Sequence, residues 1–142
     1  MRIALFGFLF SMLSFFSSNS FALTQKIIVG HHDISTIEIK KEKIKQNTAW
    51  TLKLYRNGKL VGGRALTEKT YGRIQKDFQS AFPDKKDSET CYDGILLEKS
   101  YTEKDIKRQK FCPSTLSKSR NKKISKLTRR LTDLAMGKSP IY

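Results

Sequence analysis

The chain has 142 residues, with 28 Lys and Arg against 13 Asp and Glu, so its formal net charge is +15. A chain of this length can bury one hydrophobic core, and it has no internal repeat and no low-complexity linker, so we expect a single domain. The charge does not specify a fold, but it favours solubility and attraction to polyanions.

The first 22 residues have the pattern of a cleavable signal peptide. Arg2 precedes a short apolar run and a Ser-rich stretch, and Ala22 precedes the expected cleavage site. Counted generously, the apolar run has 14 residues, fewer than the roughly 20 that a membrane-spanning helix needs. We therefore expect an exported mature domain, residues 23–142, that is periplasmic or extracellular and has no transmembrane segment. It has 27 Lys and Arg against 13 acids, a formal charge of +14.

One or two strands are expected at the start of the mature domain. Residues 27–29 form a short β-branched run, and Ile37 and Ile39 alternate with polar residues. The intervening residues 30–33, Gly-His-His-Asp, are typical of a turn or loop.

Residues 49–66 predict a β-hairpin. Asn57-Gly58 is a preferred pair for a two-residue type I′ turn, because both positions need a positive φ. That turn predicts these cross-strand neighbours: Leu54 with Val61, Leu52 with Gly63, and Trp50 with Ala65. The small residues near Trp50 would then leave room for the indole to pack.

A first helix is expected to begin at Glu68, with Thr67 as its N-cap, and to end at Pro83. Apolar residues at helical spacing form one stripe along it: Tyr71, Ile74, Phe78 and Phe82.

Cys91 and Cys112 predict a disulfide, because an even pair of cysteines is usually oxidised outside the cytoplasm. The intervening residues predict a second hairpin. With Cys91 opposite Cys112, Leu97 would face Ile106 on the apolar side, and the chain would reverse near residues 100–103.

The last helix is expected to run from Lys118 or Asn121 to Met136, with Gly137 after its C-terminus. Its apolar stripe consists of Ile124, Leu127, Leu131 and Leu134. The order of elements predicts an α+β fold, a small two-layer domain with a mostly antiparallel sheet and two amphipathic helices on one face.

The opposite side of this last helix is predicted to be cationic. Its basic residues lie away from the apolar stripe: Lys122, Lys123, Lys126, Arg129 and Arg130. The second hairpin adds three further candidates: Lys107, Arg108 and Lys110. We hypothesise that these residues bind an anionic cell-envelope polymer, a membrane surface or an acidic protein. The alternative is a solvated surface with no partner.

No catalytic or metal-binding signature occurs at a recognisable spacing. His31, His32 and Asp33 could form a small site, but adjacent strand residues point to opposite faces, so an exposed turn is the favoured interpretation. We therefore expect a non-enzymatic binding protein without metal or cofactor, and no nucleic-acid partner. Two alternatives are a secreted inhibitor that presents the disulfide-braced loop near residues 100–103, and a small secreted hydrolase or toxin centred on His31 and His32.

Overall fold

The computed structural model describes residues 23–30, 32–83, 91–92, 94–102 and 104–138, so the expected signal peptide lies outside the described residues. The elements, in chain order, are β1 (Thr24–Val29), β2 (Ser35–Ile44), β3 (Asn47–Arg56), β4 (Lys59–Leu66), α1 (Glu68–Ala81), β5 (Ile95–Ser100), β6 (Ile106–Phe111) and α2 (Lys118–Ala135).

The six strands form one sheet in the order β4-β3-β2-β1-β5-β6, and every neighbouring pair is antiparallel. Both helices pack on the same side, which we call the helix side, and no described helix covers the other side, the open side. The predicted two-layer α+β fold is confirmed.

Local signals set the ends of both helices. The Thr67 hydroxyl accepts a hydrogen bond from the backbone N–H of Thr70 at 3.1 Å, which caps α1 as predicted. Ser117 caps α2 in the same way, through the N–H of Arg120 at 3.2 Å. Gly137 follows α2 with a φ of 72°, the left-handed conformation that favours glycine.

Helix α1 crosses the sheet from the β3 end to β6. At its start, the ring of Tyr71 stacks on that of Trp50 with a centroid distance of 3.8 Å. Just after its end, Phe82 meets Phe111 of β6 edge-on at 5.0 Å. The two aromatic contacts fix both ends of the helix against opposite halves of the sheet.

A buried polar pair lies between these contacts. Gln25 of β1 and Gln75 of α1 each donate an amide N–H to the other's carbonyl oxygen, at 3.0 and 2.7 Å. Each side-chain amide therefore both donates to and accepts from the other, and this pairing offsets the cost of burying two polar groups.

Strand β3 also forms a hairpin with β2, and the turn that joins them was not predicted from the sequence. Lys45 and Gln46 connect Ile44 to Asn47 in a two-residue turn, and Lys45 has a φ of 56°. Lysine is uncommon in this left-handed conformation, so the sequence Lys45-Gln46 does not indicate a turn.

The predicted turn at Asn57-Gly58 is confirmed by positive φ angles of 47° and 77°. The predicted register of this hairpin is wrong beyond the first two pairs, because Val61 is an extra residue on β4 between the Tyr55–Leu60 pair and the Leu54–Gly62 pair. The observed neighbours are Leu54 with Gly62, Leu52 with Arg64, and Trp50 with Leu66. The shift buries Leu66 beside the indole and leaves Ala65 on the open side.

The predicted register of the second hairpin is also wrong. Leu97 pairs with Gln109, whereas Ile106 pairs with Ser100 on the open side. Between the two strands, the N–H of Tyr101 donates to the carbonyl of Asp105 at 3.1 Å. The reason lies in β6, where this register buries Phe111 completely and leaves the smaller Ile106 exposed.

Candidate functional site

Helix α2 separates its apolar and basic residues as predicted. The inward side is buried: Ile124, Leu127, Leu131, Leu134 and Ala135. The basic residues are exposed, and together they define the cationic face of α2: Lys122, Lys123, Lys126, Arg129 and Arg130. Burying the stripe against the sheet therefore forces the five positive charges into solvent.

The cationic face has little compensation from nearby acids. Within the described part of the chain, Lys122, Lys126 and Arg129 form no ion pair. Arg130 lies 3.7 Å from the carboxylate of Asp77 on α1, but both side chains are at least 40% exposed. An exposed pair at that distance is screened by water and contributes little stability.

The position of α2 is fixed at both ends. At its start, the Arg120 guanidinium donates to the carbonyl of Ser80 at 3.1 Å. The Asn121 amide donates to the carbonyl of Pro113 at 2.8 Å. At its end, Ala135 lies so close to Gly62 of β4 that a side chain at residue 62 would overlap the helix backbone. The charges are thus presented on a rigid support.

The three candidate residues on the second hairpin do not form one surface with α2. Lys107 lies on the helix side of β6, whereas Arg108 and Lys110 lie on the open side. Arg108 is also paired with Glu98 at 2.9 Å. Strand β6 is an edge of the sheet, and basic side chains on an edge oppose pairing with another chain. Edge protection is sufficient to explain Arg108 and Lys110, so these two positions do not require an external anionic partner.

On the open side, charges alternate in a row across five strands. Cross-strand neighbours follow the order Lys53, Glu38, Lys26, Glu98 and Arg108. Within the row, Lys26 lies 3.5 Å from Glu38, and Arg108 lies 2.9 Å from Glu98. Opposite charges in this arrangement stabilise neighbouring strands.

Glu42 extends the same pattern at the β2–β3 hairpin. The hydrogen bond from the Lys53 ammonium, at 2.8 Å, lowers the pKa of Glu42, and the Thr51 hydroxyl donates a further bond at 3.1 Å. The same contact with Glu42 raises the pKa of Lys53. Both groups are therefore held in their charged forms.

The two sides of the sheet differ in charge. All three acids within the strands, Glu38, Glu42 and Glu98, lie on the open side. The charged strand residues on the helix side are all cations: Lys41, Lys43, Arg56, Lys59, Arg64, Lys99 and Lys107. The helix side is consequently much more positive than the open side.

Helix α1 adds cations that the sequence interpretation left out of the site. Lys69, Arg73 and Lys76 are exposed on its outward side. Arg73 lies one turn before Asp77, which contacts α2, so it belongs to the side of α1 nearest that helix. Their helical spacing relative to the buried Ile74 and Phe78 could have placed these three residues on the exposed side of α1 from the sequence alone.

The predicted disulfide is present between Cys91 and Cys112, whose Cα atoms are 6.0 Å apart. Cys112 is buried, and the disulfide lies beyond the Ile95–Phe111 pair, at the end of the second hairpin that is farthest from its turn. A side chain at Gly94 would lie 2.7 Å from the Cys91 sulfur, so glycine leaves space for the bridge. The proposed inhibitor loop, at the opposite end of the hairpin, is held by its own hydrogen bonds, including Ser100 Oγ to the Thr102 carbonyl at 2.7 Å.

The histidine candidates divide between described and undescribed residues. His31 lies outside the described residues, whereas His32 and Asp33 are exposed in the β1–β2 loop. This loop is tied to the Asn57 turn, since the Asn57 side-chain oxygen accepts from the N–H of Ile34 at 2.9 Å. Across the ranges that the structure describes, no three His, Cys, Asp or Glu side chains are grouped to hold a metal ion.

None of the helices in the described ranges combines the length and apolar composition needed to cross a bilayer. The chain matches no protein-family model, no curated protein and no solved structure. The charge distribution and the packing of α2 are therefore the features that bear on function.

Proposed function

We propose that this chain is an exported, non-enzymatic binding protein that docks an anionic partner through the cationic face of α2. The observation that carries the proposal is the exposure of five basic residues on one side of a helix whose opposite side is buried. Like charges this close repel one another, and mixed charges would serve solubility equally well.

The rigid support of α2 favours binding. Its N-terminal residues are hydrogen-bonded to α1 and to the preceding loop, and its C-terminus contacts β4. A partner therefore meets charges that are already in place, and binding does not require ordering of the helix backbone. The Cys91–Cys112 disulfide supports export, because such bonds persist mainly in oxidising compartments.

The test compares two charge-reversal variants of the protein, purified after expression of the full chain. The first carries Lys122→Glu, Lys126→Glu and Arg129→Glu. The matched control carries Lys40→Glu, Lys45→Glu and Lys104→Glu, which lie outside the helical layer and change the net charge equally. Far-UV circular dichroism and thermal melting establish that both variants fold.

Retention is measured on envelope material from the native source at low and high salt. We expect the α2 variant to lose salt-sensitive retention, because the attractive charges become repulsive, whereas the control retains most of it. Equal retention of the α2 variant and the unmodified protein would exclude α2 as the docking surface. Equal losses in both variants would show that net charge, rather than the cationic face, governs binding.

A further inference from the structure

We propose that the anionic partner is the phosphate-rich surface of a lipid bilayer, against which both helices lie flat without inserting. This inference rests on the proposed function and extends its docking surface from α2 to the whole helix side.

The cationic surface is wider than α2 alone. Basic side chains project from α1 as well as from α2, and the two helices are neighbours in one layer. The α1 residues are Lys69, Arg73 and Lys76. A linear polymer following α2 would contact one helix, whereas a plane of headgroups can contact both.

Cations of the strands extend the positive surface beyond the two helices. The strand cations on the helix side lie around the helices. Arg56 and Lys59 are at the β3–β4 turn, and Lys43 is near the β2–β3 turn. Lys99 and Lys107 are on the helix side of β5 and β6, at the far edge of the sheet. Positive charge therefore surrounds the helical layer instead of following one line across it. An extended anionic plane is attracted by all of these charges, at distances up to the Debye length of about 10 Å in 0.1 M salt.

The packing of α2 opposes its insertion into the acyl chains. The apolar stripe of α2 is buried against the sheet, with Ile124 and Leu127 each 2% exposed, so it can reach lipid only if the core opens. Along the described helices, the exposed large apolar side chain is Met136, at the C-cap of α2. Interfacial helices that insert present an apolar face to the acyl chains. Here the contact is expected to stop at the headgroups.

The difference in charge between the two sides of the sheet sets the orientation of the protein on the membrane. The strand acids lie on the open side, and the ion pairs Lys26–Glu38, Glu42–Lys53 and Glu98–Arg108 neutralise much of the charge there. A protein with one strongly positive side and one nearly balanced side turns the positive side towards an anionic plane. The open side then faces the solution.

The experiment measures binding of the purified full-chain product to vesicles of equimolar phosphatidylglycerol and phosphatidylcholine, by co-sedimentation. Pure phosphatidylcholine vesicles are the neutral control. A parallel arm measures binding to heparin, a soluble linear polyanion. The diagnostic variant is Arg73→Gln with Lys76→Gln on α1, and its matched control is Lys40→Gln with Lys104→Gln. Glutamine has a helix propensity close to that of Arg and Lys, so α1 is expected to fold.

We expect binding to anionic but not neutral vesicles, and its release when salt rises from about 0.1 M to about 1 M. Each basic residue near an anionic membrane raises affinity about fivefold, so the α1 variant should bind about 25-fold more weakly. The control variant should change by less than about threefold, since its residues lie away from the plane. Trp50 fluorescence should stay unchanged on binding, because the core that buries it remains closed.

Other outcomes separate this inference from the proposed function. Binding to heparin without binding to vesicles overturns the bilayer as partner and leaves docking through α2 intact. Absence of binding in both arms overturns the two proposals together. Vesicle binding that the α1 variant retains in full overturns the two-helix contact. Quenching of Trp50 by brominated lipid, with binding that resists salt, overturns the non-inserting mode.

Discussion

The contact between Gly62 and the end of α2 yields a quantitative prediction about how the cationic helix is positioned. A Cβ atom at residue 62 would lie 2.7 Å from the Ala135 carbonyl oxygen and 3.0 Å from the Met136 sulfur. The exposed Met136 side chain can move aside, but the Ala135 carbonyl belongs to the last turn of α2. Gly62→Ala should therefore push this turn away from β4.

Two effects determine the size of the change. Overpacking of this kind destabilises a protein by about 1–3 kcal/mol. Because the φ of Gly62 is not positive, alanine also removes some freedom from the unfolded chain, which offsets about 0.4–1 kcal/mol. The expected net loss is about 1–2 kcal/mol, or a fall in Tm of roughly 4–8 °C for a domain of this size.

Gly72→Ala is the matched control. Gly72 lies within α1 and is exposed, and apart from the adjacent backbone of its own helix no atom lies within 4 Å of the position that its Cβ would occupy. Alanine should stabilise the helix there by up to about 1 kcal/mol. Urea unfolding, followed through the single tryptophan, Trp50, and through far-UV circular dichroism, measures both variants. A Gly62→Ala variant as stable as the unmodified protein would refute the close approach of α2 to β4.

Two further predictions concern the buried polar groups of α1. Replacing either Gln25 or Gln75 by Leu leaves the other amide buried without its partner and should cost about 1–3 kcal/mol. The double variant should lose less than the sum of the single losses in urea unfolding, and additive losses would show that the pair is not coupled. Burial raises the pKa of Tyr71 to about 12, with a smaller effect from the charge of Glu68. Tyr71 therefore ionises first in the unfolded state, and the free energy of unfolding falls as pH rises from about 10 towards about 12. Tyr71→Phe should remove about 1–2 kcal/mol of that fall, measured by urea unfolding across this pH range.

Much of the fold follows from short stretches of sequence. The Asn57-Gly58 turn, the Thr67 cap and the glycine after α2 act through backbone conformation and hydrogen bonds within a few residues, so they could be recognised without the rest of the chain. The same holds for the inward and outward sides of α2, because helical spacing alone separates the stripe containing Leu131 from the basic residues. The cysteine pair also indicated the disulfide, although not the register around it.

Strand registers depended on contacts between distant segments. Ala65 and Leu66 could each be placed beside Trp50, and a bulge after Leu60 decides in favour of the larger apolar residue. In β6, burial of Phe111 beneath α1 decides the register against Ile106. In both hairpins the turn or disulfide brought the strands together, but the packing of the helical layer selected the side chains that enter the core.

Composition and helical spacing by themselves determined that the protein is strongly basic and that α2 has one cationic side. Only the tertiary structure decided how the remaining charges are distributed. Strand pairing directs Glu38, Glu42 and Glu98 to the open side and separates Arg108 from α2, while helix packing adds the cations of α1 to the surface. The physical reason is that adjacent strand residues face opposite sides, so a charge is assigned to a surface only when the register of its strand is known.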